Sequence, residues 1–218
     1  MDADALSTYL VTDASLSGSC GVLDVVGRAV DGGATAIQLR EKSGTARELF
    51  ELTVAASAAI AGRALLFVDD RVDVFLAARA AGARVDGVHI GQSDLPVLET
   101  RRIIGPDAIL GLTANTPAHF ADVAALPAGT VDYLGVGVIR PTSTKPDHPA
   151  PLGIEGFRAL AASTALPCVA IGGVALSDTA ALRSAGAAGL AVVSAICAAD
   201  DPTAAAAAFR AAWTEALL

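Results

Sequence analysis

The chain has 218 residues, 53% of them hydrophobic and 17% charged, and carries a net charge of −8. That balance excludes a general nucleic-acid binder, and it means that an anionic ligand has to be met by a local cluster of cations. No apolar run approaches the roughly 18 residues of a membrane-spanning helix, so neither nucleic acid nor membrane is expected as a partner.

The length suits one sizeable core, with about 70% of the unfolded surface buried. No Pro/Ser/Gly-rich linker divides it, so residues 1–218 read as a single domain. The first residues, Met1-Asp2-Ala3-Asp4, are acidic and lack the basic start of a secretory signal. Cys20, Cys168 and Cys197 are odd in number and irregular in spacing. They fit neither a disulfide framework nor a zinc site, and point to the reducing cytoplasm.

Taken in order, short apolar runs recur at 9–11, 36–39, 65–68, 87–90, 109–112, 133–138, 168–171 and 190–193. Each reads as a strand buried on both faces. Between them lie Ala- and Leu-rich stretches with helical spacing, as at Val72, Phe75, Leu76 and Arg79. Gly33, Gly82 and Gly186 read as helix ends, each followed by Ala and the next strand. Strict alternation implies parallel pairing with right-handed crossovers, and eight such units predict a closed (β/α)₈ TIM barrel in the α/β class. The alternative is an open doubly wound sheet. It lacks a dinucleotide fingerprint, because Arg140 stands where Gly135-Val136-Gly137 would need its third glycine.

In a barrel, function sits at the carboxyl ends of the strands. The second strand ends in Gln38-Leu39-Arg40-Glu41-Lys42. Side chains alternate, so Gln38, Arg40 and Lys42 share the inward face and Leu39 turns toward the helices. The third run ends in Asp69-Asp70-Arg71 and the fourth in His89-Ile90-Gly91-Gln92-Ser93-Asp94. Carboxylates on neighbouring ends can hold Mg²⁺, which takes one or two of them together with waters and substrate phosphates. The competing reading is that Asp70 and Asp94 cap the helices that follow. His89, inside an apolar run, reads as a core residue, and His119 and His148 have no assigned role. The fifth end offers the Thr113 hydroxyl. Pro141 stops the sixth strand, and Thr142, Ser143, Thr144 and Lys145 follow it: three hydroxyls and a cation suited to a phosphate. Gly172 and Gly173 after the seventh strand, with Val193 and Ser194 after the eighth, sit where barrels cradle phosphate. A tight turn alone would also account for the two glycines.

These stretches together resemble the thiamine-phosphate synthase family over the whole length. The matching motifs are Tyr9-Leu-Val-Thr-Asp13, Gln38-Leu-Arg-Glu-Lys42, Asp69-Asp-Arg71, Gly87-Val-His-Ile-Gly-Gln92 with Asp94, Pro141-Thr-Ser-Thr-Lys145, Ile171-Gly-Gly173 and Val193-Ser194. The resemblance implies a transferase that condenses hydroxymethylpyrimidine diphosphate with thiazole phosphate, by a dissociative, carbocation-like path, to give thiamine phosphate and pyrophosphate. It implies that Gln38, Leu39, Arg40, Glu41, Lys42, Asp69, Thr113 and Lys145 bind the pyrimidine substrate, with Arg40, Lys42 and Lys145 acting on the leaving pyrophosphate. It implies Asp70 and Asp94 for Mg²⁺. Thr142, Ser143, Thr144, Gly172, Gly173, Val193 and Ser194 would hold the thiazole phosphate. One departure stands out: the family usually has Asn where this chain has Asp69. An amide donates hydrogen bonds, and a carboxylate does not. Two other readings remain, a thiazole tautomerase-like enzyme and an inactive barrel that binds a precursor.

Overall fold

The computed structural model describes residues 4–142, 144 and 150–216. The first half contains β1 (Thr8–Val11), α1 (Gly21–Asp31), β2 (Ala36–Leu39), α2 (Ala46–Ile60), β3 (Leu65–Asp69), α3 (Val72–Ala80), β4 (Gly87–Ile90) and α4 (Val97–Ile104). The second contains β5 (Ile109–Thr113), α5 (Pro117–Ala124), β6 (Tyr133–Gly137), α6 (Gly153–Ala161), β7 (Cys168–Ile171), α7 (Thr179–Ser184), β8 (Ala187–Val192), α8 (Ser194–Cys197) and α9 (Pro202–Glu215). The strands close a barrel in sequence order, and β8 pairs in parallel with β1. All eight carboxyl ends therefore open on one rim.

Alternation along the strands separates two cores. Tyr9, Val11, Ala36, Phe67, Tyr133, Val169 and Ala191 form the inner one. The Tyr9 and Phe67 ring centroids are 5.6 Å apart, as are those of Phe67 and Tyr133. Leu10, Ile37, Leu39, Leu66, Val68 and Val88 belong to the outer core, under the helices. Each such side chain contributes about 1.5–3 kcal/mol on burial, which holds the helices to the sheet. Caps direct the chain at several helix starts. Thr45 accepts from Glu48 N at 3.2 Å, while the Glu48 carboxylate accepts from Thr45 N at 2.7 Å. Thr116 and Asp201 cap α5 and α9, each just before a proline.

Three details differ from the periodicity. β6 stops at Gly137, and β8 begins at Ala187 rather than 190. The start of β8 is Ala-Ala-Gly, with no branched side chain to mark a strand, yet its backbone pairs with β7 across an irregularity at Cys168/Val169. In α3, Val72 and Phe75 are buried, but Leu76 is 41% exposed, because Val74 and Ala78 complete the buried face. The three cysteines are free, and burial pushes the Cys168 thiol up to about 12. Among the described residues no helix is long and apolar enough to cross a membrane.

Candidate active site

The end of β2 carries the cations. Arg40 leaves the strand with its N–H donating to Thr12 Oγ1 at 3.0 Å. Its Nε lies 3.7 Å from Asp69 Oδ2, and its Nη1 lies 4.0 Å from Asp13. Lys42, two residues on, places Nζ 3.1 Å from Asp69 Oδ2 and donates a short hydrogen bond to Asp70. Burial alone would lower the Lys42 ammonium, but Asp69 and Asp70 outweigh it and hold its pKa above the usual value. For Asp69 the balance falls the other way. Burial pushes its carboxyl up, the nearby Asp94 adds to that, and Lys42 and Arg40 only partly offset it. Glu41 turns aside: its Oε1 accepts from Ser43 N and Oγ, both at 2.8 Å, and from Gly44 N at 3.1 Å. Those bonds, the Ser43 N–H first, hold its carboxyl below the usual range and fix the turn that aims Lys42. The Leu39 side chain is fully buried in the outer core, so only its main chain reaches the rim. Gln38 is 5% exposed and sits deeper, donating from Nε2 to Tyr9 Oη at 3.0 Å.

Neither aspartate proposed for a metal caps a helix. The N-cap of α3 is Arg71 and that of α4 is Pro96, and neither helix start has a side-chain cap bond. Asp70 instead adopts φ +58°, in the left-handed region, with its N–H donating to His89 O at 2.8 Å. A non-glycine residue there costs of order 1–3 kcal/mol and persists only where its surroundings fix it. Asp94 accepts from Gly91 N at 2.8 Å, which folds the β4–α4 loop back over the rim. Burial raises the Asp94 carboxyl, and the Asp70 carboxyl beside it raises it further, against the Gly91 N–H. Two carboxyl groups held this close repel each other when both are ionised. The Lys42 ammonium, bonded to Asp70, offsets part of that repulsion. Among the described residues no group of three or more His, Cys, Asp or Glu side chains is placed to hold a metal. Asp70 and Asp94 are two carboxylates side by side, the number that Mg²⁺ commonly takes from a protein.

The ends of β5 to β8 carry hydroxyls and backbone. Thr113 is half-buried, with Oγ1 3.0 Å from His89 Nε2 and its carbonyl accepting from Gln92 Nε2 at 2.6 Å. Thr142 Oγ1 accepts from Thr144 N at 3.3 Å and donates to Thr144 Oγ1 at 3.3 Å, so the two form one small turn. Ser143 and Lys145 lie outside the described residues. After β7, Gly172 has φ +87° and Gly173 has φ +64°. A Cβ on Gly172 would stand 2.3 Å from Val138 Cγ1, and one on Gly173 would stand 2.9 Å from both Arg140 Cβ and Arg140 O. Glycine is thus required by close approach as well as by φ. That approach lets Arg140 N donate to Gly172 O at 3.0 Å and brings the β6 and β7 loops together. Val193 is half-buried, and Ser194, the first residue of α8, is exposed.

Some contributors were not legible. Asp13 reaches Arg40, and Arg140 pairs with the buried Asp178, tying the Pro141 loop to the segment after β7. Tyr9 and Tyr133 join Gln38 to His89 inside the barrel. The available signal was their phase, since both fall on inward-facing strand positions.

The family of thiamine monophosphate synthase matches residues 8–196. The chain is similar to the thiamine-phosphate synthase of Psychrobacter sp. (strain PRwf-1), at 44% identity over 200 residues and 92% of each chain. It is 48% identical over 182 residues to the thiamine-phosphate synthase of Corynebacterium efficiens, covering 84% of each. Among solved structures, it is similar to the thiamine phosphate pyrophosphorylase of Pyrococcus furiosus, with a TM-score of 0.85, 33% identity and 99% of each chain covered.

Proposed function

The chain belongs to the thiamine monophosphate synthase family, and we propose that it joins hydroxymethylpyrimidine diphosphate to thiazole phosphate, forming thiamine phosphate and releasing pyrophosphate. The observation that carries this reading is the convergence of Arg40 and Lys42 with Asp69 and Asp70 on the rim that also bears the β6–β8 loops. One cluster suits a diphosphate and its counter-ion. The other suits a monophosphate. A tautomerase acting on the thiazole phosphate alone has no use for the first cluster.

In this proposal Arg40, Lys42 and Lys145 hold the diphosphate, and they stabilise it most as it leaves, when charge grows on its bridging oxygen. The aminopyrimidine ring delocalises the positive charge left on its exocyclic carbon, so little acid–base work is asked of the protein. Gln38 and Thr113 orient the pyrimidine end, with the main chain of Leu39 and Glu41 completing the wall and Asp69 facing the cations. Thr142, Ser143, Thr144, Gly172, Gly173, Val193 and Ser194 hold the thiazole phosphate and set its ring nitrogen against the exocyclic carbon. Asp70 and Asp94 would hold Mg²⁺, which when bound neutralises charge on the diphosphate. The whole works as one barrel domain in the cytoplasm, on small molecules and without nucleic acid or membrane.

The test is turnover against Mg²⁺ concentration for wild type, Asp70→Ala and Asp94→Ala. Each substitution should lower kcat on the order of a hundredfold or more, several kcal/mol, and leave thiazole phosphate binding almost unchanged. Equal turnover of all three under chelator would contradict the metal assignment. With both substrates and Mg²⁺ present, binding of the diphosphate by wild type without release of pyrophosphate would mark a precursor-binding barrel instead.

A further inference from the structure

Thr113 is the outer end of a chain of polar groups that runs into the barrel. Its Oγ1 lies 3.0 Å from His89 Nε2, and His89 Nδ1 lies 3.0 Å from Tyr133 Oη. Tyr133 Oη is 2.8 Å from Tyr9 Oη, which accepts from Gln38 Nε2 at 3.0 Å. Tyr9 and Tyr133 are each 1% exposed, Gln38 5% and His89 9%. The imidazole fits there because its neighbours on β5 and β6 are glycines. A Cβ on Gly111 would stand 2.4 Å from both His89 Nδ1 and Tyr133 Oη, and one on Gly135 would stand 3.0 Å from His89 Cε1. Two residues proposed for the pyrimidine substrate, Gln38 and Thr113, are thereby the two ends of one buried chain.

The direction of that chain follows from its inner end. The Gln38 amide nitrogen is a donor only, so Tyr9 Oη accepts there. Among the described residues the only other partner of that oxygen is Tyr133, so Tyr9 spends its own proton on Tyr133. Tyr133 then donates to His89 Nδ1, and His89 donates from Nε2 to Thr113. Burial keeps both phenols protonated, far above their usual range. In the reverse direction Tyr9 would accept twice, and its own proton would be left without an acceptor in a buried site, which is unfavourable.

We infer that His89 and Tyr133 are positioning residues: the relay fixes the Nε2–H tautomer of His89 and leaves the Thr113 hydroxyl proton free to donate to an acceptor atom of the pyrimidine diphosphate. The inference deepens the synthase reading and rests on it for the identity of that ligand. It also assigns Thr113 a polarity. As a donor, Thr113 selects for an oxygen or ring nitrogen and against an amino group at that point of the substrate.

The experiment is ¹⁵N NMR of the full chain labelled at histidine. The sequence has three histidines, and His89→Gln identifies the relevant signals by their loss. Wild type should show a protonated Nε2 and an unprotonated Nδ1 at His89. Tyr133→Phe should mix the tautomers and lower kcat/KM for the pyrimidine diphosphate about tenfold, or ~1.4 kcal/mol, with KM for thiazole phosphate unchanged. Tyr9→Phe should do the same to a smaller degree, and it serves if Tyr133→Phe does not fold. An Nδ1–H tautomer in wild type overturns the relay, and so does a folded Tyr133→Phe with wild-type tautomer and kinetics. The spectrum needs no turnover, so an inert wild type would count against the synthase reading while the spectrum still decides the relay.

Discussion

Asp69→Asn should improve the use of the pyrimidine diphosphate. The Asp69 carboxylate lies 3.1 Å from Lys42 Nζ and 3.7 Å from Arg40 Nε. It therefore neutralises the two cations proposed to hold the diphosphate. Asparagine has the same shape, keeps an oxygen for Lys42 and removes one negative charge. With that charge ~6 Å from a phosphate and an effective dielectric of ~20–40, the repulsion relieved is ~1.4–2.8 kcal/mol. A divalent counter-ion on the diphosphate brings the effect to the low end, about a tenfold gain in kcat/KM. Stability gives an independent check. Burial raises the Asp69 carboxyl above its usual range. A carboxyl raised on folding stabilises the fold below its unfolded pKa, and that contribution is lost as pH rises through the folded one. At neutral pH the buried charge is a cost, and Lys42 keeps Asp70 when it is removed. Asp69→Asn should thus melt at or above wild type at pH 7, with its advantage shrinking in the carboxylate range. The assay is initial rate against pyrimidine diphosphate concentration at fixed Mg²⁺, with thermal melts at both pH values. A KM more than tenfold higher at unchanged Tm would refute the reasoning, since Asp69 would then make a favourable contact of its own.

Gly172→Ala places a methyl 2.3 Å from Val138 Cγ1 at φ +87°. It should cost more than ~1 kcal/mol in urea melts and raise KM for thiazole phosphate severalfold while sparing the pyrimidine substrate. An unchanged melt would show that the cradle can give way. Asp178 is nearly buried, accepts from Ala175 N at 2.9 Å and pairs with Arg140. Burial pushes its carboxyl up, but Arg140 and the Ala175 N–H more than offset this and hold it below the usual range. A lowered carboxyl stabilises the fold above its unfolded pKa, and the contribution is lost as pH falls through the folded one. Asp178→Asn should therefore lose ~1–2 kcal/mol at pH 7 and converge with wild type in acid. Parallel pH profiles would contradict the pairing.

The barrel was legible because its strands are covered on both faces and read as continuous apolar runs. The start of β8 escaped, since Ala187-Ala-Gly189 is a strand by its pairing with β7 rather than by its side chains. At the site, alternation put Gln38 and Arg40 on one face, but it stops at Leu39, where β2 ends. What brings Lys42 to the same place is the turn held by Glu41 and the pull of Asp69 and Asp70. Asp70 and Asp94 could not be assigned from sequence, because capping and metal binding ask for the same residue at the same strand end. In the structure the N-caps of α3 and α4 are Arg71 and Pro96, with no side-chain cap bond, so the capping reading falls for both aspartates. The His89 relay and the Arg140–Asp178 pair join residues 24 to 124 positions apart. Only the closed sheet brings them together.

The central claim is that two clusters on one rim serve one coupled reaction. The most direct measurement incubates the chain with hydroxymethylpyrimidine diphosphate, thiazole phosphate and Mg²⁺ and quantifies both products over time. Thiamine phosphate and pyrophosphate should appear in equal amounts, with neither formed when thiazole phosphate is withheld. Pyrophosphate released at the same rate without thiazole phosphate, or no product with both substrates bound, would contradict it.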